Sequence, residues 1–259
     1  MLMQPTLEKL YSMKLMGMAE AIRRQGDNPE TAQLSFEERL AMLVDQQWDW
    51  RQNKALCRRM KNARFKLEAV IEDIDYRHPR RLDRPLIRSL SACDWVTQHH
   101  NLIITGPCGV GKSYLACALA QKAVRDGYAA LYTRAPRLLA DLAVARVDGS
   151  FPKLLDRLAR IDVLIVDDWA MAPLADSERR DFLEVCDDRY RTRSTILTSQ
   201  LPITHWHDQI GDPTIADSIL DRLVHNAHRI DLAGASMRKT KTIKPDIAGE
   251  DNNTQKGKA

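Results

Sequence analysis

The sequence predicts an α/β protein in which a parallel sheet covered by helices follows an N-terminal helical domain. From residue 100 onward, short apolar segments of strand length alternate with segments of helical periodicity. Short, continuous apolar strands are typical of a parallel sheet that is buried on both faces. Residues 1–88 have the spacing of helices, and a glycine-rich turn follows the first predicted strand. These three observations together predict the fold class.

The predicted α/β core has five strands and five helices. The strands are Leu102–Thr105, Ala129–Thr133, Val163–Asp167, Thr195–Thr198 and Arg229–Leu232. The helices are 113–126, 136–146, 151–160, 175–191 and 213–226. Gly127 is well placed to end the first of these helices, and Pro213 lies where a proline is tolerated in a first turn.

The chain divides into three predicted regions. Pro79 and Pro85 disfavour continuation of a helix, so a domain boundary is expected near residue 80. The residues after Lys244 are polar and lack apolar periodicity, which predicts disorder. The regions are a helical domain at 1–80, an α/β domain at 81–243 and a tail at 244–259. Within the first region, Ser35 followed by Glu38 is a capping-box pattern that predicts the start of a helix.

The composition is that of a soluble globular protein, with 44% hydrophobic and 29% charged residues in a chain of 259. The apolar runs are far too short to cross a bilayer, and the N-terminus lacks the pattern of a secretory signal. Five cysteines are scattered without metal-ligand spacing, which fits reduced thiols. We therefore expect a cytoplasmic protein without a membrane partner.

Positive charge is concentrated in one short segment. Residues 51–88 contain 12 Lys and Arg against 5 Asp and Glu, whereas residues 89–259 contain 22 of each. A local excess of cations indicates a polyanion partner. A solvated helix face explains the same charges equally well, and charge alone leaves both interpretations open.

A P-loop is the strongest chemical signal. Two glycines with four residues between them are followed by Lys112 and Ser113, with an apolar strand before the motif and a helix after it. The loop N–H groups and the helix N-terminus are suited to phosphate oxygens, so we expect bound ATP. Lys112 is expected to reach the β- and γ-phosphates, and the Ser113 hydroxyl to bind Mg²⁺. The expected nucleotide-binding residues are Gly106, Pro107, Cys108, Gly109, Val110, Gly111, Lys112 and Ser113.

Two adjacent carboxylates are the second signal. Asp167 and Asp168 end a run of four apolar residues, which predicts that both lie at the carboxyl end of a buried strand beside the P-loop. Asp167 is then the acid on the magnesium side, and Asp168 is placed to orient or deprotonate the attacking water. A pair of solvated turn acids is the alternative, but it leaves the preceding apolar run unexplained.

The order of these motifs resembles that of AAA+ ATPases, and more closely that of the IstB-like transposition helper ATPases and the related DnaC-type helicase loaders. The matching stretches are Leu15–Ala19, Glu72–Tyr76, Gly106–Ser113, Asp167–Asp168, Thr195–Pro202, Ile219–Leu223 and Gly234–Lys239. The resemblance covers about residues 5–242. It implies an AAA+ P-loop fold without a full C-terminal lid, since little chain remains after Arg238.

The resemblance also implies roles for individual residues. Gln200 resembles the sensor of the γ-phosphate or the water, where the family more often has Asn, and Ser199 could share that task. Arg222 resembles the arginine finger that completes a neighbouring subunit's site, and Arg238 resembles the second sensor. Many AAA+ enzymes carry Glu at the position of Asp168, so the shorter side chain implies slow or partner-stimulated hydrolysis.

The function implied by the resemblance is ATP-dependent assembly of a homo-oligomer on duplex DNA, in support of a transposase. The alternatives are a DnaC-like helicase loader and, in another class, a P-loop small-molecule kinase. Two basic clusters are the candidates for DNA contact. They are Arg58, Arg59, Lys61, Arg64 and Lys66 before the core, and Arg134, Arg137, Arg146 and Lys153 between the second and third strands.

Overall fold

The N-terminal part of the chain is helical, as predicted. The computed structural model describes residues 3–237. The first three helices are α1 (Met3–Ser12), α2 (Met16–Asp27) and α3 (Phe36–Ala63), with a 3₁₀ turn at Pro29–Gln33. The Ser35 side chain accepts a hydrogen bond from the Glu38 N–H, and the Glu38 carboxylate accepts one from the Ser35 N–H. The predicted capping box is therefore confirmed, and it begins the 28-residue α3.

Helices α2 and α3 cross closely at Gly17. A Cβ at this position would lie 2.7 Å from the Trp50 Cβ and 2.7 Å from the Gln46 carbonyl oxygen. The Met18 N–H also donates to the Gln47 Oε1 at 3.2 Å. Only glycine leaves room for this crossing, which gives the Leu15–Ala19 stretch a structural purpose.

The outer face of α3 carries apolar side chains that the described chain leaves exposed. Phe36, Leu40, Val44 and Trp48 follow one another at four-residue intervals, and the side chain of Trp48 is 64% exposed. The helical repeat in this part of the sequence therefore belongs only partly to the core. At its other end α3 joins the core, because Ala63 is fully buried among residues of the α/β domain.

The segment after α3 packs on the α/β core before the first strand begins. It contains a 3₁₀ turn at Ile71–Asp73 and the short helices α4 (Arg84–Leu90) and α5 (Asp94–Thr97). Pro85 lies in the first turn of α4, whose N-terminus is capped by the Asp83 carboxylate. A proline that disfavours continuation of one helix thus begins the next one. The domain boundary near residue 80 stays a prediction.

The core elements agree with the predicted ones to within two residues at each end. The strands are β1 (Asn101–Thr105), β2 (Ala130–Arg134), β3 (Val163–Trp169), β4 (Ser194–Ser199) and β5 (Ala227–Asp231). The helices are α6 (Lys112–Arg125), α7 (Ala135–Asp148), α8 (Phe151–Ala159), α9 (Asp176–Arg189), α10 (Trp206–Ile210) and α11 (Pro213–Val224). Helix α10 and the 3₁₀ turn at Ile203–His205 were not predicted.

The five strands form one parallel sheet in the order β2-β3-β4-β1-β5. Helices α4, α5 and α6 pack on one face of the sheet, and α7 to α11 pack on the other. The pairing of β3 with β4 shifts register between Val166 and Trp169. This irregularity falls on the two predicted acids at the carboxyl edge of the sheet, where ligands bind in open α/β folds.

Two further findings concern the described residues 3–237. None of their helices is long and apolar enough to cross a membrane. All five cysteines are free thiols, and Cys93, Cys117 and Cys186 are buried. Arg238 and the predicted tail at 244–259 lie outside the described residues.

Candidate functional site

The predicted P-loop runs from Gly106 to Gly111 between β1 and α6. Gly106 and Gly111 have φ values of 141° and 97°, which a residue with a side chain rarely adopts. Lys112 is the first residue of α6 and is buried. Its ammonium group donates to the carbonyl oxygens of Gly106 at 2.8 Å and Pro107 at 2.9 Å. The loop therefore curls around the Lys112 ammonium, as a phosphate-binding loop requires.

Asp167 is the centre of a buried hydrogen-bond cluster. Its carboxylate accepts hydrogen bonds from the hydroxyl groups of Ser113 at 2.7 Å, Tyr132 at 2.5 Å and Thr198. The Lys66 ammonium lies 3.7 Å from the same carboxylate. Burial raises the pKa of Asp167, but these hydrogen bonds and the Lys66 charge outweigh it and lower the pKa below its ordinary value. Asp167 is therefore held as a carboxylate anion.

These residues fit ATP with Mg²⁺. The loop supplies N–H groups and the Lys112 charge for phosphate oxygens. Ser113 and Asp167 supply a hydroxyl and a carboxylate in contact with each other, and oxygen ligands of this kind suit Mg²⁺. The described residues contain no cluster of three or more His, Cys, Asp or Glu side chains that would bind a metal ion without a nucleotide.

Asp168 lies beside this cluster but is already engaged. Its φ is 60°, a left-handed conformation that turns its side chain out of the strand. Its N–H donates to the Thr198 hydroxyl at 3.1 Å. Its carboxylate is bound by Arg134, whose Nε and Nη2 both lie 3.1 Å from Oδ2. Arg134 therefore engages the Oδ2 atom of Asp168, and neither of its two contacts involves Oδ1.

Gln200 follows β4 at the same edge of the sheet, because Ser199 is paired with Thr105 just before the P-loop. The Gln200 amide nitrogen lies 3.4 Å from the Met171 sulfur. The Ser199 hydroxyl is buried, donates to the Trp169 carbonyl and accepts from the Leu201 N–H. Gln200 is thus available at this edge, whereas Ser199 already has partners and is poorly placed to share its task.

Arg222 lies at the opposite edge of the sheet from the P-loop of its own chain. The Asn101 side chain, at the amino end of β1, donates to the Arg222 carbonyl at 3.1 Å. From Asn101 to Gly106 the chain advances five residues along β1, a distance of about 16 Å at about 3.3 Å per residue. The Arg222 guanidinium is bound by Asp187 and by the Ser218 carbonyl. Arg222 therefore cannot complete its own site without a large movement.

The first basic cluster is divided by the structure. Arg58 and Lys61 line an open depression of about 490 Å³ between side chains on one face of α3, together with Arg51, Lys54 and Trp50, and this depression is called the groove below. The remaining members point elsewhere. The Arg59 Nε donates to the Val124 carbonyl, Lys66 faces Asp167, and Arg64 lines a second pocket beside β2. Arg51 and Lys54 were not singled out from the sequence, although they continue the same helical spacing.

The second basic cluster is largely paired with acids of the same chain. Arg146 is bound by Asp181 and Glu184, and Arg137 by Asp141 at 2.9 Å. Arg134 holds Asp168, and Lys153 is exposed. Arg64, Arg134, Arg137 and Arg157 meet around the second pocket, which measures about 300 Å³. Arg157 was missed from the sequence because nothing in its local pattern connects α8 with β2.

Comparison with known proteins identifies close relatives. Residues 8–245 match the family described as IstB-like ATP binding protein. A putative insertion sequence ATP-binding protein of Sinorhizobium fredii is 52% identical over 94% of this chain and 100% of its own length. The insertion sequence IS1162 putative ATP-binding protein of Pseudomonas fluorescens is 51% identical over 78% of this chain and 88% of its own.

Solved structures share the fold. The crystal structure of DnaI aligns with a TM-score of 0.55 and 21% identity over 64% of this chain and 91% of DnaI. AMPPCP-bound DnaA from Aquifex aeolicus aligns with a TM-score of 0.54 and 16% identity over 65% of this chain and 51% of DnaA. The predicted AAA+ P-loop fold is confirmed by this likeness and the parallel sheet, and the resemblance stated from the sequence is confirmed by the family match.

The contact between Arg134 and Asp168 generates a prediction. In Arg134→Ala the Asp168 carboxylate loses a partly exposed ion pair of about 1 kcal/mol, so hydrolysis at saturating ATP should rise about fivefold. Steady-state phosphate release measures the hydrolysis rate. A nucleotide titration should show that the dissociation constant of ATP changes by a smaller factor than the hydrolysis rate does. Arg137→Ala is the matched control, since it removes the same charge from a neighbouring ion pair.

A second variant shows whether the effect acts through Asp168. Asp168→Asn should bind ATP but lose hydrolysis, because the amide keeps the shape without the basicity. The double variant Arg134→Ala/Asp168→Asn should then be as inactive as Asp168→Asn alone. A fall in the rate of Arg134→Ala with ATP affinity unchanged would contradict the restraining role of Arg134.

Proposed function

Because this chain belongs to the IstB-like ATP-binding protein family of insertion sequences, we propose that it is the ATPase of a transposition system, which assembles on duplex DNA and assists a transposase. The observation that carries the proposal is that the P-loop lies at the carboxyl ends of the strands, whereas Arg222 lies at their amino ends. A complete site then needs two subunits. The relatives' names connect ATP binding with insertion sequences, and the likeness to DnaI, at 21% identity, bears on the fold alone.

The ATP site is proposed to work through residues of four elements. Lys112 binds the β- and γ-phosphates, and Ser113 with Asp167 holds Mg²⁺, which when bound offsets the negative charge of the phosphates. Asp168, once released by Arg134, orients the attacking water and accepts its proton. Gln200 hydrogen-bonds the γ-phosphate or that water from the end of β4. Arg238 is proposed as a second contact to the same nucleotide.

The shared site gives ATP control over assembly. Arg222 from one subunit adds positive charge where phosphoryl transfer spreads negative charge in its neighbour. In the isolated chain Asp187 balances that charge. On assembly, the triphosphate of the neighbour takes the place of Asp187 as the anionic partner. Hydrolysis and phosphate release weaken this contact and allow the assembly to come apart.

The groove on α3 is the surface that best fits duplex DNA. Arg51, Lys54, Arg58 and Lys61 line it, and none of them has an ion-pair partner within the described chain. Unpaired cations attract phosphates without the cost of breaking an existing ion pair, and their effect depends on salt. The Lys54 ammonium lies 4.5 Å from the centre of the Trp50 ring, which holds the side chain along the groove. We favour this groove over the second basic cluster, whose arginines are paired.

Assembly on DNA tests the proposed function. With ATP, Mg²⁺ and a long linear duplex, sedimentation and electron microscopy should show an oligomer that neither ATP nor DNA alone produces.

A mixture of two variants tests whether the site is shared between subunits. Lys112→Ala and Arg222→Ala should each lose hydrolysis. An equal mixture should recover about one quarter of the wild-type rate, because about one site in four then pairs an intact Lys112 with an intact Arg222.

Arg229→Ala, an exposed arginine on β5, is the matched control and should behave as wild type. No recovery in a mixture that demonstrably co-assembles would contradict the shared site. Hydrolysis by a monomer that is indifferent to both duplex DNA and Arg222 would favour the small-molecule kinase alternative instead.

The salt dependence of DNA binding tests the groove. Arg51→Ala/Arg58→Ala should flatten the plot of log affinity against log salt by about two units, at about 0.9 per lost phosphate contact. Arg23→Ala/Arg24→Ala removes the same charge from the exposed face of α2 and should leave the slope unchanged. If the groove variant keeps the wild-type slope and affinity, the proposed DNA surface is wrong.

A further inference from the structure

Arg80 is a buried cation that the chemistry described so far does not use. Its side chain is 2% exposed, and its Nε is buried without a hydrogen-bond partner. No carboxylate of the described chain lies within ion-pair distance of it. Burial lowers the pKa of the guanidinium, although the charge of Asp75 opposes this effect. A buried charge without a counter-ion is costly, so its presence needs an explanation.

The Arg80 guanidinium packs directly against the P-loop. Its Nη1 donates to the Val110 carbonyl at 2.9 Å, and its Nη2 donates to the Asp75 carbonyl at 2.8 Å. A Cβ added to Gly111 would collide with Nη1. Glycine is therefore needed at position 111 for two reasons, the φ of 97° and the close approach of Arg80.

Arg80 also lies where the P-loop meets two other segments. The Arg80 carbonyl accepts from the Ala233 N–H at 3.1 Å, and the His78 ring lies 3.1 Å from the Ala235 carbonyl. The Met237 N–H donates to the Gly109 carbonyl at 3.0 Å. The segments 75–80 and 232–237, which lie outside β1 and α6, thus contact each other and the P-loop. The charged group of Arg80 lies among them.

We propose that Arg80 is a positioning residue of the nucleotide site, which fixes the Val110–Gly111 part of the P-loop and whose charge is balanced by the bound polyphosphate. The inference rests on the proposed ATP site. The hydrogen bond from Arg80 occupies the Val110 carbonyl, which removes an acceptor that would otherwise be free to turn toward the ligand. The N–H groups of the loop are left to face the phosphates. The nucleotide then supplies the counter-ion that the described residues 3–237 do not provide.

This role predicts a dependence on the number of phosphates. A fixed positive charge close to the loop attracts ATP more than ADP and ADP more than AMP, and it leaves the uncharged adenosine almost unaffected. A residue that only fills space would affect all four ligands alike, since they share the nucleoside. Loss of the loop geometry would also spare adenosine, so the charge is separated from the geometry by Arg80→Lys, which keeps the charge but loses the two-pronged contact.

The experiment measures dissociation constants for ATP, ADP, AMP and adenosine by competition against a fluorescent ATP analogue, on the full chain. In Arg80→Met, which keeps the side-chain length, ATP should bind about tenfold or more weakly, ADP and AMP should be affected progressively less, and adenosine should change by less than about twofold. Arg81→Met, an exposed neighbour, should match wild type for all four ligands. Equal weakening of ATP and adenosine, or no weakening of ATP, overturns the proposal.

Arg80→Lys keeps the proposal testable if Arg80→Met does not fold. Lysine keeps the charge but loses the two-pronged contact to Val110 and Asp75, so stability should fall while the ratio of ATP to adenosine affinity stays within about threefold of wild type. Loss of that ratio in folded Arg80→Lys also overturns the proposal. If wild type itself binds no ATP and Lys112→Ala changes nothing, the ATP site is wrong, which is a distinct outcome.

Discussion

The buried carboxylate of Asp167 is the interaction on which the rest of this structure depends. Three hydroxyl groups donate to it, from the first turn of α6, the middle of β2 and the end of β4, and the ammonium group of Lys66, in the segment after α3, also faces it. One negative charge thus joins the P-loop helix, two neighbouring strands and the segment that follows α3. A cation placed between Ser113 and Asp167 must rearrange these partners. Binding of Mg²⁺ at this site is therefore expected to affect the position of every element that contacts the carboxylate.

Lys66 and Arg134 extend this connection to the proposed DNA surface. Lys66 lies three residues after the end of α3, and α3 carries the basic groove on its exposed side. Arg134 contacts Asp168 and lines the pocket that Arg64, the residue after α3, also lines. If the proposed ligands bind, a polyanion near these arginines would compete with Asp168 for Arg134, and Mg²⁺ would compete with Lys66 for Asp167. Under the proposed function, these ion pairs would then couple the state of the nucleotide to the position of α3.

The sequence predicted the parts of the site whose signals are local. The P-loop spacing, the apolar run before Asp167 and the helical periods are set by neighbours in the chain, and the strands and helices of the core agree with them. Helix α10 was missed because five residues are too few to reveal a period. The partners of Asp167 and Asp168, and the burial of Arg80 against Val110, arise from contacts between distant segments. No spacing rule encodes such contacts, and in the sequence Arg80 is indistinguishable from its exposed neighbour Arg81.

The most direct test of the central role of Asp167 is the Mg²⁺ dependence of ATP binding in Asp167→Asn, measured by calorimetry with and without Mg²⁺. The amide keeps the size of the side chain but removes the charge that attracts the dication. The account predicts that wild type binds ATP more tightly when Mg²⁺ is present, and that Asp167→Asn loses this gain while it keeps its Mg²⁺-free affinity. If Asp167→Asn stays folded and keeps the full gain from Mg²⁺, Asp167 does not hold the metal ion and the account is contradicted.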